Sequence, residues 1–248
     1  MITNQLNNRA RREKKIDANT EIKENRVNAP YREAVGSLLY LAGATRPDIS
    51  YAVNVLSRHQ LNPTKEDWKM VERVFCYLKH TKTLKLTYKG ETDEIVCFSD
   101  ASFADCKGSL TTCGFVIQLF GDPITWRTRK QKYVAMSTCQ AEYVAMSDAS
   151  MEMVSIYNSL SLIMIEPPLP MILKYDNIAA GKNAQTSGGN KLRHMLEIKE
   201  HYIKECVQRK LVKLQWVESK EQIADIFTKP LSFESHIKLT NKLMNIDM

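Results

Sequence analysis

The chain has 248 residues, 44% of them hydrophobic, and a formal net charge of +7. That length holds one large domain or two small ones around a sizeable core, and the charge favours polyanionic partners, nucleic acid above all. Six cysteines without C-x-x-C spacing speak against a cysteine metal site or a disulfide framework and for a reducing compartment, no apolar run reaches bilayer length, and the polar, basic start lacks a signal-peptide core.

Residues 1–30 are polar, Asn-rich and charged, and read as a disordered or loosely helical basic arm. Residues 31–90 carry three helix-like runs. The first spans Tyr31 to Ala42. The second starts after Arg46-Pro47-Asp48, where Pro47 suits a first helical turn. The third spans Thr64 to Lys79, opened by the capping pattern Thr64-x-x-Asp67. Its apolar stripe is Trp68, Val71, Val74, Phe75 and Leu78. Three packed helices are expected here, with no catalytic group.

From Ile95 the pattern changes to strands. Ile95 to Asp105 alternates, and one face presents Val96, Phe98 and then Asp100. A carboxylate that continues an apolar face is costly unless a cation or donors compensate it. Cys113 to Leu119 is a second strand. After the turn Gly121-Asp122-Pro123, Ile124 to Arg127 is a short third. The next segment is basic, with Arg127, Arg129, Lys130 and Lys132.

Ser137-x-x-Gln140 reads as a capping box that starts a helix near Thr138. Its sheet-facing stripe is Glu142, Ala145, Ala149, Met153, Ile156, Leu160 and Ile163, with Glu142 the only carboxylate on it. Met171 to Tyr175 is a fourth strand, ending at Asp176-Asn177, and a helix follows from Ile178 to Gln185. Open α/β sheets place ligands at such strand ends. Gly188-Gly189-Asn190 is a loop. Leu192 to Gln208 is a helix with a basic face that includes His194, Lys199, His201, Lys204 and Arg209. Leu211 to Val217 is a fifth strand. Ser219-x-x-Gln222 reads as a capping box for a helix that carries Asp225, Pro230 breaks that helix, and Phe233 to Met244 is the last one.

The order is thus β-β-β-α-β-α-α-β-α, with carboxylates after strand one, in the long helix, after strand four and after strand five. Four carboxylates at one sheet edge repel one another. Two divalent cations would neutralise them and promote phosphodiester hydrolysis. Oxygen-only ligands suit Mg²⁺ or Mn²⁺.

The motifs in this order resemble the C-terminal part of a copia-type retrotransposon Pol polyprotein, from Tyr31 to Leu231. The lead-in is similar in Val35-Gly36-Ser37-Leu38-Leu39-Tyr40-Leu41 and Thr45-Arg46-Pro47-Asp48-Ile49. The rest resembles the family's ribonuclease H domain in Ser99-Asp100-Ala101, Ala141-Glu142-Tyr143, Asp176-Asn177 and Ala224-Asp225-Ile226-Phe227-Thr228-Lys229. Two features depart from the family: His194 is displaced by one position relative to His201-Tyr202-Ile203, and the polymerase's paired aspartates are absent. The resemblance therefore implies a fragment: the end of the reverse transcriptase region plus ribonuclease H.

The fold implied is a ribonuclease H-like mixed five-stranded sheet flanked by helices over residues 91–248, preceded by a small helical domain over residues 31–90. The implied activity is endonucleolytic cleavage of RNA in RNA–DNA hybrids with two Mg²⁺ or Mn²⁺ ions. Asp100, Glu142, Asp176 and Asp225 would be both catalytic and metal-binding. Arg127, Arg129, Lys130, Lys132, Asn177, Arg193, His194 and Lys199 are candidate nucleic-acid contacts. Implied partners are the hybrid and the polymerase domains of the parent polyprotein, with no membrane. The implied setting is the cytoplasm, virus-like particles or the nucleus. Two readings compete. One is an inactive remnant that binds nucleic acid or serves only as a structural part of a reverse transcriptase. The other is an integrase-like transferase, against which the order of the acids speaks.

Overall fold

Helix α1 (Tyr31–Ala44) buries Tyr31, Val35, Leu38 and Ala42. Their spacing of three and four residues keeps them on one face. A 3₁₀ turn, Pro47–Ile49, leads into α2 (Ser50–Ser57). Helix α3 (Lys65–His80) starts as its sequence demands. The Thr64 hydroxyl accepts from the Asp67 amide, and the Asp67 carboxylate accepts from the Thr64 amide at 2.8 Å. Its buried line is Met70, Val71 and Val74, and Phe75 is 43% exposed rather than part of the stripe. Phe75 lies about 100° round the helix from Val74 and so leaves the contact with α1 and α2. The three helices share a core of their own. Beside it a buried Arg46–Asp48 ion pair at 2.7 Å accepts the Tyr77 hydroxyl at 2.7 Å and reaches Thr81.

The computed structural model describes residues 27–132, 134–185 and 194–246. Most of the proposed arm, the Gly188-Gly189-Asn190 loop and Arg193 lie outside them. Among the described residues no helix is long and apolar enough to cross a membrane.

Strands β1 (Ile95–Ser102), β2 (Thr112–Leu119) and β3 (Asp122–Lys130) form an antiparallel meander. β3 is longer than the Ile124 to Arg127 expected. It pairs with β2 from Thr112↔Lys130 to Leu119↔Asp122, and an irregularity between Ile117 and Gln118 passes over Ile124, leaving Pro123 opposite Gln118. As an edge strand it tolerates a residue without an amide hydrogen. Strands β4 (Met171–Tyr175) and β5 (Val212–Trp216) add in parallel, giving the order β3-β2-β1-β4-β5.

The central position of β1 decides its burial. Ile95 and Cys97 pack under α4 (Thr138–Leu162), with α5 (Ile178–Gln185) and α6 (His194–Gln208) completing that layer. Val96 and Phe98 pack on the other face against Ile226 and Phe227 of α7 (Asp225–Thr228) and Leu239 and Leu243 of α8 (Phe233–Leu243). The alternation thus feeds two cores and not one. Helix α4 is buried on all sides from Gln140 to Ser150, because the sheet covers one flank and α5 and α6 the other. The result is the expected ribonuclease H-like architecture: a mixed five-stranded sheet between helices, behind a helical lead-in.

The lead-in is tied to the sheet. Trp126 Nε1 donates to the Ala42 carbonyl at 2.7 Å, and Asn54 Nδ2 donates to the Thr128 carbonyl at 3.0 Å. His236 Nε2 lies 3.2 Å from the Asp48 carbonyl oxygen.

Candidate active site

Asp100 lies near the C-terminal end of β1, opposite Gly114 of β2. A Cβ on Gly114 would meet Phe227 Cβ at 2.5 Å and the Arg127 carbonyl at 2.9 Å. A glycine there lets α7 settle directly on the sheet. Thr228 of α7 then donates its hydroxyl to Asp100 Oδ2. Gly114→Ala should therefore cost about 1–3 kcal/mol of stability by overpacking. Urea melts of the two proteins check this, and an unchanged midpoint would contradict the close approach.

The parallel register of β4 on β1 runs through Phe98↔Lys174. Two residues further on, it carries Asp176 beside Asp100. Asp176 is held from β5 and the turn after it. Trp216 Nε1 donates to the Asp176 carbonyl at 3.1 Å, and the Ser219 hydroxyl donates to Asp176 Oδ2 at 2.8 Å. Ser219 and Gln222 do not form the expected capping box. Residues Ser219–Glu221 make a 3₁₀ turn without a side-chain cap. Gln222 Nε2 donates to the Ser99 carbonyl at 3.0 Å instead. A buried β1 carbonyl and a site carboxylate capture both side chains.

The helix α4 does start at its signal. Ser137 Oγ accepts from the Gln140 amide, while the Gln140 side chain accepts from the Met136 amide, one residue beyond the usual box partner. Glu142 follows in the first turns, 6% exposed. Asp100, Glu142 and Asp176 each offer an oxygen within 4.8 Å of the others. Asp225 opens α7 beside them. It pairs with Lys229, whose Nζ is 2.7 Å from Asp225 Oδ1 and 3.8 Å from Asp100 Oδ2.

The electrostatics follow from burial. Desolvation first, then the charges of Asp100 and Asp176, push the Glu142 carboxyl well above its ordinary range. Burial also raises Asp100, opposed by Lys229 and the Thr228 hydroxyl. Asp225 is pushed up to about 7 by burial and by Asp100, against the pull of Lys229. Against its own burial, Lys229 is raised to about 12 by Asp100 and Asp225. The buried Glu142 Oε2 has no hydrogen-bond partner. An oxygen-only donor set with an unpaired, buried carboxylate oxygen fits a hard divalent cation such as Mg²⁺ or Mn²⁺.

The candidate nucleic-acid contacts divide. Arg129 and Lys199 both bind Asp148 of α4 and so tie β3 and α6 to it. Arg127 pairs with Glu152 at 3.5 Å and lies 5.5 Å from the Phe115 ring centroid. Lys130 and Lys132 are exposed. Asn177 caps α5, its side chain accepting from the Ala180 amide at 3.1 Å. His194 begins α6. Reading the sequence missed Thr228, Ser219 and Lys229 as partners of the acids. Thr228 and Lys229 stand three and four residues after Asp225, a spacing that shares one helix face.

No family model matches the chain. Its sequence is similar to the retrovirus-related Pol polyprotein from transposon RE2 of Arabidopsis thaliana, 36% identical over 205 residues, which cover 82% of this chain and 14% of that protein. The corresponding polyprotein from transposon TNT 1-94 of Nicotiana tabacum is 30% identical over 210 residues, 84% of this chain and 16% of that protein. The chain thus spans a small part of these relatives. Among solved structures, LC11-RNase H1 in complex with an RNA/DNA hybrid is 15% identical, with a TM-score of 0.39, covering 54% of this chain and 94% of that chain. The resemblance to copia-type retrotransposon Pol polyproteins is thus borne out, at 30–36% identity over 82–84% of the chain.

Proposed function

We propose that this chain hydrolyses the RNA strand of RNA–DNA hybrids with divalent cations, as the ribonuclease H part of a retrotransposon reverse transcriptase. One observation carries the reading. Carboxylates from β1, α4 and the end of β4 converge within 4.8 Å, and one buried oxygen among them is left unpaired. Such a cluster is unfavourable without positive charge. Lys229 alone offsets it only in part.

In this reading Asp100, Glu142, Asp176 and Asp225 would hold two cations. Cations held there would supply an activated water and stabilise the leaving oxygen. The chain's own groups orient the acids. Thr228 fixes Asp100, and Ser219 fixes Asp176. The sheet and α4 close one side of the site to water. Exposed Lys130 and Lys132 are the groups best free to meet phosphates. Arg129 and Lys199 are already held by Asp148. The 2′-hydroxyl would mark the RNA strand. Residues 31–90 would close the polymerase region, consistent with their separate core, and residues 91–248 would form the nuclease domain.

The test is a labelled RNA–DNA hybrid with the purified chain, alone and joined to polymerase domains. Cleavage should require Mg²⁺ or Mn²⁺, leave 5′-phosphate and 3′-hydroxyl ends, and spare double-stranded DNA. Binding should weaken as salt rises. Salt-sensitive binding without metal-dependent cleavage in either form would leave the binding-remnant reading in place of the nuclease.

A further inference from the structure

Lys229 is placed where a cation is wanted. Its ammonium sits between Asp225 at 2.7 Å and Asp100 at 3.8 Å, while the oxygens that converge within 4.8 Å belong to Asp100, Glu142 and Asp176. Its side chain is 35% exposed, so the ammonium can swing out to solvent without unpacking the core. The cluster of Asp100, Glu142 and Asp176 differs: there Glu142 Oε2 is buried without a hydrogen-bond partner, so no ion pair has to be broken at that oxygen before a cation binds.

From this asymmetry we propose that Lys229 is a built-in counter-ion that occupies the Asp100–Asp225 seat and competes with the second divalent cation. The inference rests on the metal-dependent reading above and adds an order of loading to it. The first cation enters among Asp100, Glu142 and Asp176. The second must displace the ammonium from Asp225. Charge bookkeeping agrees. One dication plus the ammonium leaves the four carboxylates one charge short of neutral. A second dication beside an undisplaced ammonium overshoots, and the two cations repel at short range. Lys229 thereby offsets part of the negative charge in the chain without metal and sets the concentration at which the second seat fills. It is a positioning residue, since it acts through Asp100 and Asp225.

Calorimetric titration of the full chain with Mn²⁺, repeated with Mg²⁺, tests this without relying on activity. The wild type should show one stronger and one weaker event. Lys229→Gln should strengthen the weaker event by at least about tenfold, because a unit charge within ~4 Å outweighs that factor at protein-like dielectric. The stronger event should change much less. Lys229→Arg, which keeps the charge, should behave as the wild type. In EDTA, Lys229→Gln should melt lower than the wild type, and added cation should remove the difference. If Lys229→Gln does not fold, Asp225→Asn decides: it should abolish the weaker event and spare the stronger one. Two equal events in the wild type, or a weaker event indifferent to Lys229→Gln, overturns the proposal and leaves the metal-dependent reading intact. No binding of either metal overturns both.

Discussion

Asp100→Asn is expected to lower metal-dependent hybrid cleavage by about a thousandfold or more, because the cation-held transition state loses several kcal/mol. Asp176→Asn should act in the same direction. The fold should survive the first change. An asparagine oxygen still accepts the Thr228 hydroxyl, and a buried, crowded negative charge is gone. Hybrid binding should hold or improve, since removing negative charge near phosphates cannot weaken the attraction. His194→Ala should have a smaller effect. Cleavage assays and salt-dependent binding assays on the same preparations separate the two outcomes. Residual cleavage near the wild-type rate in Asp100→Asn would remove it from the chemistry.

The second large effect is on pH dependence. Glu142 is held well above its ordinary 4.5 and Asp225 rises to about 7 from 3.8. Folded protein therefore keeps protons that unfolded chain has already lost. Stability contributed by these groups is greatest below pH ~4 and is lost as pH rises towards about 7. Cations reverse the sense, because they bind carboxylates only once the protons have left. Mg²⁺ should therefore raise the melting temperature more at pH 7.5 than at pH 5.5. In EDTA at pH 7.5, Glu142→Gln should be neutral or gain about 1 kcal/mol, and the gain should vanish in acid. The variant should also lose most of the Mg²⁺ shift. A loss beyond about 2 kcal/mol in metal-free urea melts would instead identify a structural hydrogen bond at Glu142.

Much of the fold was legible because its signals are local. Thr64 and Ser137 cap their helices where the sequence places them. The strand at Met171–Tyr175 ends at Asp176 as its pattern requires. Caps and periodicity act within about four residues, so they transfer from sequence to structure. Where they failed, a distant group won. Ser219 and Gln222 carry a cap pattern, but Asp176 and the Ser99 carbonyl lie closer to hand in the folded chain. Phe75 fits the helical period and still lies outside the packed line, because α1 and α2 choose which flank of α3 they cover.

The sequence by itself determined the element types, the helical lead-in and the positions of the four acids, since each is written in short-range pattern or motif. Only the tertiary structure decided what surrounds those acids. The order β3-β2-β1-β4-β5 buries both faces of β1 and lays Asp176 beside Asp100. The Thr228–Asp100 hydrogen bond joins residues 128 positions apart. The same packing places Lys229 between Asp100 and Asp225, and gives Arg129 and Lys199 to Asp148. Such pairings are chosen by sheet register and burial, where an unpaired charge is most costly, and no local periodicity encodes them.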